Sequence, residues 1–263
     1  MTPRELHDLA TSLAREAGTM ALAGRRRGLT DVATKSTLTD MVTEYDRASE
    51  KLIVDALRTK RPSDAIVGEE GSSVDGSSGI TWCIDPIDGT TNFAHGIPIF
   101  CSSLALEIDG VAQVAAVYDP TRRELFTAER GGGAFLNGKP MKVSAADTLL
   151  EAVLVTGFPY DVHSRVAEIV GLFGEFVGRA RAVRRLGSAA IDLCYVAAGW
   201  MDGFWERDLN AWDIAAGALL VEEAGGTISN FKGEPFASRG RDVLASNGTI
   251  HQAMLDVIAG RTA

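Results

Sequence analysis

Two aspartates stand three residues apart in the stretch Trp82-Cys83-Ile84-Asp85-Pro86-Ile87-Asp88-Gly89-Thr90-Thr91-Asn92-Phe93. The apolar run Ile80 to Ile84 before them reads as a buried strand. That strand is expected to end at Asp85, because Pro86 lacks the backbone donor that a ladder needs. Asp88 and Gly89 then supply turn chemistry, and Thr90 or Thr91 has the hydroxyl to cap a helix. On such a strand-to-turn junction both carboxylates can face one point. A turn running into a helix also aims free N–H groups outward, where they bind anions such as phosphate. Carboxylates for a hard cation beside amides for an anion are the layout of a metal-assisted phosphate site. The competing reading is a tight turn, since Asp-Pro and Asp-Gly are ordinary loop punctuation.

Further acids lie at element ends. Ile66-Val67-Gly68 reads as a short strand followed by Glu69-Glu70, which alone would be taken as solvated surface. Asp46 follows the polar, extended stretch from Lys35 to Tyr45 and reads as a helix-start charge favoured by the dipole. Asp213, in Glu206-Arg207-Asp208-Leu209-Asn210-Ala211-Trp212-Asp213-Ile214-Ala215-Ala216-Gly217, reads as a cap for a helix that stops at Gly225-Gly226. His95 is a tempting general base, but a lone histidine is more often a satisfied surface or core residue.

Several elements must position these groups. Leu6, Leu9, Ala10, Leu13, Ala17, Met20 and Ala21 are spaced for an amphipathic helix over 4–24, ending at Gly24. A second helix is expected through about Leu57. Residues 72–79, rich in Ser and Gly, read as a mobile loop. Ile99 to Ile108 and Val111 to Tyr118 flank the hairpin signal Asp109-Gly110, and Asn137-Gly138 marks another turn, so this section is antiparallel scaffold. Beyond it, a strand (152–156), a helix marked by Val166 to Val177, a helix opened by Gly187-Ser188-Ala189-Ala190 and a strand (201–206) alternate as an α/β layer. No linker divides the chain. Two closely packed subdomains, 1–145 and 146–263, are expected to meet near residues 140–150.

The composition narrows the class. With 46% apolar and 23% charged residues the chain is that of a soluble globular protein. It has no apolar run of membrane-spanning length and no signal-peptide core. Three scattered cysteines, Cys83, Cys101 and Cys194, make no disulfide framework and fit a reduced cytoplasm. A net charge of −9 makes nucleic acid a poor partner. Two basic runs stand out. Arg25-Arg26-Arg27 reads as a solvated helix end, and Arg179, Arg181, Arg184 and Arg185 read as a strand edge, subunit contact or partner site.

The string Asp85-Pro86-Ile87-Asp88-Gly89-Thr90, with Trp212-Asp213-Ile214-Ala215-Ala216-Gly217 and Glu222-Glu223-Ala224-Gly225-Gly226 after it, resembles the two signatures of the inositol monophosphatase family. That family lies within the magnesium-dependent, lithium-sensitive phosphatases. The resemblance runs from Lys35 to Gly226 and implies a layered α-β-α-β-α sugar-phosphatase-like fold, with an antiparallel N-terminal sheet and a mixed C-terminal one. It also implies a site. Glu69, Asp85 and the carbonyl of Ile87 would hold one Mg²⁺ that acidifies the attacking water. Asp85, Asp88 and Asp213 would hold a second that stabilises the leaving alkoxide, and the family leaves room for a third near Glu69. Thr90, hydrogen-bonded to Asp46, would orient and deprotonate the water, and Lys35 would lie near a metal. Gly89 and Thr90 would bind the phosphate, Glu206 a polyol hydroxyl, and Gly187, Ser188 and Ala189 would wall the substrate.

The four carboxylates of Glu69, Asp85, Asp88 and Asp213 carry four negative charges, which two Mg²⁺ would neutralise before a phosphate dianion enters. A covalent route through Asp85 is set aside, because the Asp-x-Asp spacing of that class is missing. The expected activity is hydrolysis of inositol monophosphate or a related polyol phosphate. Fructose 1,6-bisphosphate, histidinol phosphate and a 3′-phosphoadenosine nucleotide are the alternatives within the same chemistry. A homodimer is implied by the resemblance, and some bacterial relatives act as partners of the transcription machinery.

Overall fold

The computed structural model describes residues 1–29, 31–35 and 40–261, so Ser36 to Thr39 of the expected extended stretch lie outside the described residues. Helix α1 (Pro3–Arg27) leads to the ribbon β1 (Val32–Thr34) and β2 (Met41–Thr43), then to α2 (Glu44–Lys60). Strands β3 (Ala65–Gly68), β4 (Ser73–Val74) and β5 (Ile80–Asp88) precede the short helix α3 (Thr90–His95). A meander follows through β6 (Cys101–Ile108), β7 (Val111–Asp119), β8 (Glu124–Glu129), β9 (Gly133–Leu136) and β10 (Lys139–Pro140). The second half runs β11 (Val153–Thr156), α4 (Val166–Val177), β12 (Ala182–Arg184), α5 (Ala189–Ala197) and β13 (Gly203–Glu206). It closes with α6 (Ala211–Glu223), β14 (Thr227–Ser229), β15 (Val243–Ser246) and α7 (His251–Ile258).

The larger sheet has the order β10-β9-β8-β7-β6-β5-β3-β4 and is antiparallel except where β3 lies beside β5. The smaller has the order β12-β11-β13-β15-β14 and is mixed, with β11 parallel to both neighbours. Helices α1 and α2 cover the outer face of the first sheet, α5 and α6 fill the space between sheets, and α4 and α7 cover the outer face of the second. This is the expected α-β-α-β-α stack. Its physical origin is in the helices: every residue of α5 and Ile214 to Val221 of α6 are buried, because both are apolar all round and can only lie between two sheets. By contrast α1 and α2 bury one stripe each. The central core takes buried residues from both sides of residue 145.

Four expectations are corrected. Helix α1 does not stop at Gly24 but runs three residues further, to a cap at Gly28 with φ +106°. Gly24 is a close approach instead: a Cβ there would lie 2.0 Å from Cε1 of Tyr45. Arg25 is no solvated helix end, since its Nε donates to Phe93 O at 2.6 Å and its Nη2 to Ala94 O at 3.3 Å. Within the Ser72 to Gly79 loop, Ser73 and Val74 pair with Val67 and Ile66 as an edge strand. Finally, β5 does not end at Asp85. Its partner register steps from Asp85↔Ser103 to Asp88↔Cys101, three residues against two, so Pro86 and Ile87 sit in a bulge where the missing N–H costs no ladder bond. The two hairpin turns are as expected, with positive φ at Asp109, Gly110, Asn137 and Gly138.

Gly24→Ala should therefore destabilise the protein although alanine is the better helix former. Overpacking against the Tyr45 ring outweighs the propensity gain, for an expected net loss of roughly 1–2 kcal/mol. Urea denaturation of the two proteins measures it, and an unchanged or higher midpoint would contradict the packing argument.

Candidate active site

The bulge in β5 makes the site. In a regular strand, residues three apart point to opposite faces. One extra residue between Asp85 and Asp88 cancels that alternation and turns both carboxylates to the same side. Gly89 then takes φ +92° as the N-cap of α3, in a space where a Cβ would lie 3.0 Å from Ile99 O and 3.2 Å from Gly187 O. Thr90 is thus the first residue of α3 and not its cap.

Asp88, Asp213, Asp46 and Glu69 each accept hydrogen bonds that orient them. Asp88 Oδ2 accepts from Ser188 Oγ at 2.5 Å and from Ala190 N at 2.7 Å, so the start of α5 grips a residue one hundred positions away. Asp213 is the third residue of α6, where its Oδ2 accepts from Asn210 N at 2.7 Å in a capping box. Asp46 has the same place in α2: its Oδ2 accepts from Thr43 N at 2.8 Å and Thr43 Oγ1 at 2.5 Å. Its other oxygen, Oδ1, lies 3.0 Å from Thr90 Oγ1, so Asp46 is both a helix-start acid and the partner of Thr90. The single Thr90 hydroxyl proton also has Ile87 O in reach at 2.9 Å. Glu69 Oε1 accepts from Lys35 Nζ at 3.0 Å, and the same ammonium donates to Glu70 Oε1 at 2.6 Å.

The charges of Glu69, Asp88 and Asp213 all act on Asp85. Burial pushes all four carboxyls above the usual range, and the charges of Glu69, Asp88 and Asp213 push Asp85 further. Ser188 and the backbone N–H groups of α5 oppose the shift at Asp88, and Lys35 opposes it at Glu69. Burial alone would lower the Lys35 pKa, but Glu69 and Glu70 outweigh it and raise the group, so the ammonium stays charged. Glu69 Oε2 and Asp85 Oδ1 are buried with no donor from the described residues. Among those residues no three His, Cys, Asp or Glu side chains are closed round one point as a ready-made metal cage. The one thiol beside the cluster, Cys101, lies 3.8 Å from Asp88 Oδ2 and is kept protonated by burial and by Asp88.

Two hollows open beside this cluster. One, of about 680 Å³ open to solvent, is lined by Asp88, Gly89, Thr90, Gly187, Ser188, Ala189, Glu206 and Asp213, among others. The second is lined by Lys35, Asp40, Glu69 and Asp213, and Pro159, Tyr160, Asp208 and Asn210 wall both. Lys35 therefore stands on the Glu69 side and not against Gly187 to Ala189. Glu206, at the end of β13, is buried, and its pKa is pushed up to about 8 by burial, with Asp213 and Asp88 adding to it and Arg185 opposing. Gly157 makes the room, for a Cβ there would fall 2.1 Å from Glu206 Oε2. The Ser188 hydroxyl is spent on Asp88, so Ser188 walls the cavity while its polar atom supports a carboxylate. His95 is exposed and lines neither hollow.

The sequence reading missed the supporting residues. Glu50, on α2, is buried and accepts from Glu70 N at 2.8 Å and Ser72 N at 3.0 Å, which fixes the turn carrying Glu69. Asn92 Nδ2 donates to Ile99 O at 2.9 Å and Leu186 O at 2.8 Å, tying α3 to the segment before α5. Asp192 is fully buried beneath Glu206 and Asp88, its carboxyl raised first by that burial, and neither oxygen has a partner among the described residues. The only sequence signal was at Asp192, an acid inside an apolar helical stretch. Glu50→Ala should leave two amides without an acceptor and destabilise the fold by about 1–3 kcal/mol. Amide hydrogen exchange at Glu70 and Ser72 should speed up in the variant, and protection equal to wild type would show that Glu50 does not hold the turn.

A layered α/β fold whose bulged strand and helix starts place carboxylates beside a cavity is the arrangement of a class of enzymes that cleave phosphate esters. The comparisons with known proteins agree: the model of the inositol monophosphatase family matches residues 2–261, and the chain belongs to that family, as a phosphoric monoester hydrolase. It is 44% identical over 257 residues to the Nus factor SuhB of Pseudomonas aeruginosa, covering 95% of this chain and 94% of that one. It is also 44% identical over 220 residues to the inositol-1-monophosphatase of Rhizobium meliloti, covering 83% of each. Among solved structures, inositol monophosphatase from Anabaena superposes with a TM-score of 0.88 at 37% identity, covering 98% of this chain and 96% of that one. The extragenic suppressor protein suhB from Bartonella henselae gives 0.90 at 37% identity, covering 97% and 98%.

Proposed function

We propose that the site hydrolyses the phosphate monoester of a small polyol, inositol monophosphate first among them, with Mg²⁺ bound by Glu69, Asp85, Asp88, Asp213 and the carbonyl of Ile87. The observation that carries this reading is the gathering of four carboxylates, Asp85 and Asp88 buried and Glu69 and Asp213 half-buried, beside a cavity that has Glu206 on its wall. The donor set fits the ion: it is all oxygen, two of its oxygens have no other partner, and the nearby thiol is not ionised. When bound, Mg²⁺ supplies a low-pKa water and charge stabilisation at the leaving oxygen. The chain's own residues do the rest. Thr90 donates to Asp46, which leaves its oxygen lone pairs to accept a proton from a water placed beside it. Gly89 and Thr90 receive the phosphate at the start of α3, while Glu206 hydrogen-bonds the alcohol's hydroxyls. Neutral Lys35 or a freed Glu69 would loosen that arrangement, and the short contact between them prevents both. Three buried unpaired cysteines suit a reducing cytoplasm, and a homodimer remains part of the proposal.

Phosphate release from inositol 1-phosphate, histidinol phosphate, fructose 1,6-bisphosphate and 3′-phosphoadenosine 5′-phosphate tests the reading. Wild type should turn over the inositol ester only with Mg²⁺, and Asp88→Asn should lose at least about a hundred-fold of that rate. A different preferred ester would keep the chemistry and change the substrate. No metal-dependent release from any ester would end the catalytic reading.

A second role is supported by the relative named a Nus factor and by where the arginines fall. Strand β12 is the edge of the smaller sheet, and Arg184 on it and Arg181 just before it are exposed. Arg179 is paired with Glu175 at 2.6 Å, and Arg185 turns toward the cavity over the Phe158 ring. We infer that Arg181 and Arg184 would contact an acidic partner of the transcription machinery. Replacing both with glutamine should leave phosphate release intact and abolish capture of that partner, and capture unchanged at low salt would remove this role.

A further inference from the structure

The chain between Glu206 and Asp213 turns on Asp208, whose φ is +61°. That left-handed conformation is rare for any residue with a Cβ, although aspartate tolerates it better than most. Asp208 is also gripped from two sides. Arg165 Nη1 donates to its Oδ2, while Arg241 Nε lies 3.4 Å from its Oδ1 and Arg241 Nη2 donates to its carbonyl at 3.2 Å. Leu209 N returns a bond to Arg241 O at 2.9 Å. Arg165 stands at the start of α4, at the end of the segment that carries Pro159 and Tyr160. Its remaining nitrogens fork onto Glu168 at 3.1 and 3.0 Å.

Both hollows beside the carboxylates are walled by these two segments. Pro159 and Tyr160 come from one, Asp208 and Asn210 from the other. We propose that the Arg165–Asp208 pair is a positioning latch, which fixes the separation of the two walls and so the fit of the alcohol portion of the substrate. This rests on the phosphatase reading of the cavity. The argument is geometric. Glu206 lies two residues before Asp208 and Asp213 five after it, so a change in the turn moves a cavity acid and a carboxylate of the metal set together. The guanidinium is already ordered by Glu168, so gripping Asp208 takes little further freedom from it. Arg165 and Asp208 are 27% and 30% exposed, and an ion pair that open adds little to global stability. Its effect should fall on the spacing of the walls.

Arg165→Gln, Asp208→Asn (which keeps an αL-tolerant residue), their double variant and Arg165→Lys test this on the full chain. Steady-state kinetics use the ester best hydrolysed by wild type, at saturating Mg²⁺, and amide hydrogen exchange follows Leu209 and Asn210. Arg165→Gln should raise KM about five-fold while lowering kcat by less, as for the loss of one exposed pair. The double variant should be no worse than Asp208→Asn, Arg165→Lys should recover part of the KM, and exchange at Leu209 should quicken in both single variants. An unchanged KM with unchanged exchange in Arg165→Gln overturns the latch, as do single effects that multiply in the double. Should wild type hydrolyse no ester, the phosphatase reading fails by itself. The exchange rates then still decide whether Arg165 holds the turn.

Discussion

Four carboxylates are drawn near one another, two of them buried and two half-buried, and the protein supplies little positive charge to offset them. Among the described residues Lys35 is the one ammonium bonded to any of the four, through Glu69. Burial of ionised acids is costly, and their mutual repulsion adds to it. The rest of the architecture answers that constraint with hydrogen-bond donors. Helix starts do part of it: those of α5 and α6 place N–H groups on Asp88 and Asp213, and that of α2 does the same for the neighbouring acid Asp46. An anion-binding device that elsewhere serves ligands is here turned on the protein's own side chains. What remains, at Glu69 Oε2 and Asp85 Oδ1, has no donor among the described residues.

The layered fold follows from the same demand. Three helix starts can meet at one point only if their helices are stacked with the sheet that carries Asp85 and Asp88. Helices α5 and α6, apolar on every side, lie against both sheets and bring their N-terminal ends to the bulge in β5. The candidate site and the apolar centre of the molecule therefore lie along the same two helices.

Much of this was legible in the residues. Periodicity located the amphipathic helix α1, Asp-Gly and Asn-Gly marked the hairpins, and the two motif strings picked out the acids that the fold gathers. Boundaries and double duties were not legible. Gly24 reads as a stop in one dimension and is a contact in three, because its meaning depends on the ring of Tyr45. Pro86 reads as a strand end, yet a bulge absorbs it, and a bulge depends on the partner strand. Asp46 and Asp213 invite a choice between cap and functional acid, but Asp46 has two oxygens in use and Asp213 caps with one. Glu50 and Asn92 carried no signal, since what they bind is backbone, which has no letter.

The grip of Ser188 and Ala190 on Asp88 has a consequence for how the protein comes into being. A growing chain releases the bulged strand early, with Asp85 and Asp88 already in it, but the helix that steadies them is about one hundred residues behind, and Asp213 further still. Until those segments emerge, the strand presents uncompensated acids next to an uncovered apolar face. Synthesis at about 5–20 residues per second leaves that half-built surface waiting for several seconds. The first half of the chain is in this sense a dependent fragment, and the interval before the second half arrives is when a chaperone would have most to hold.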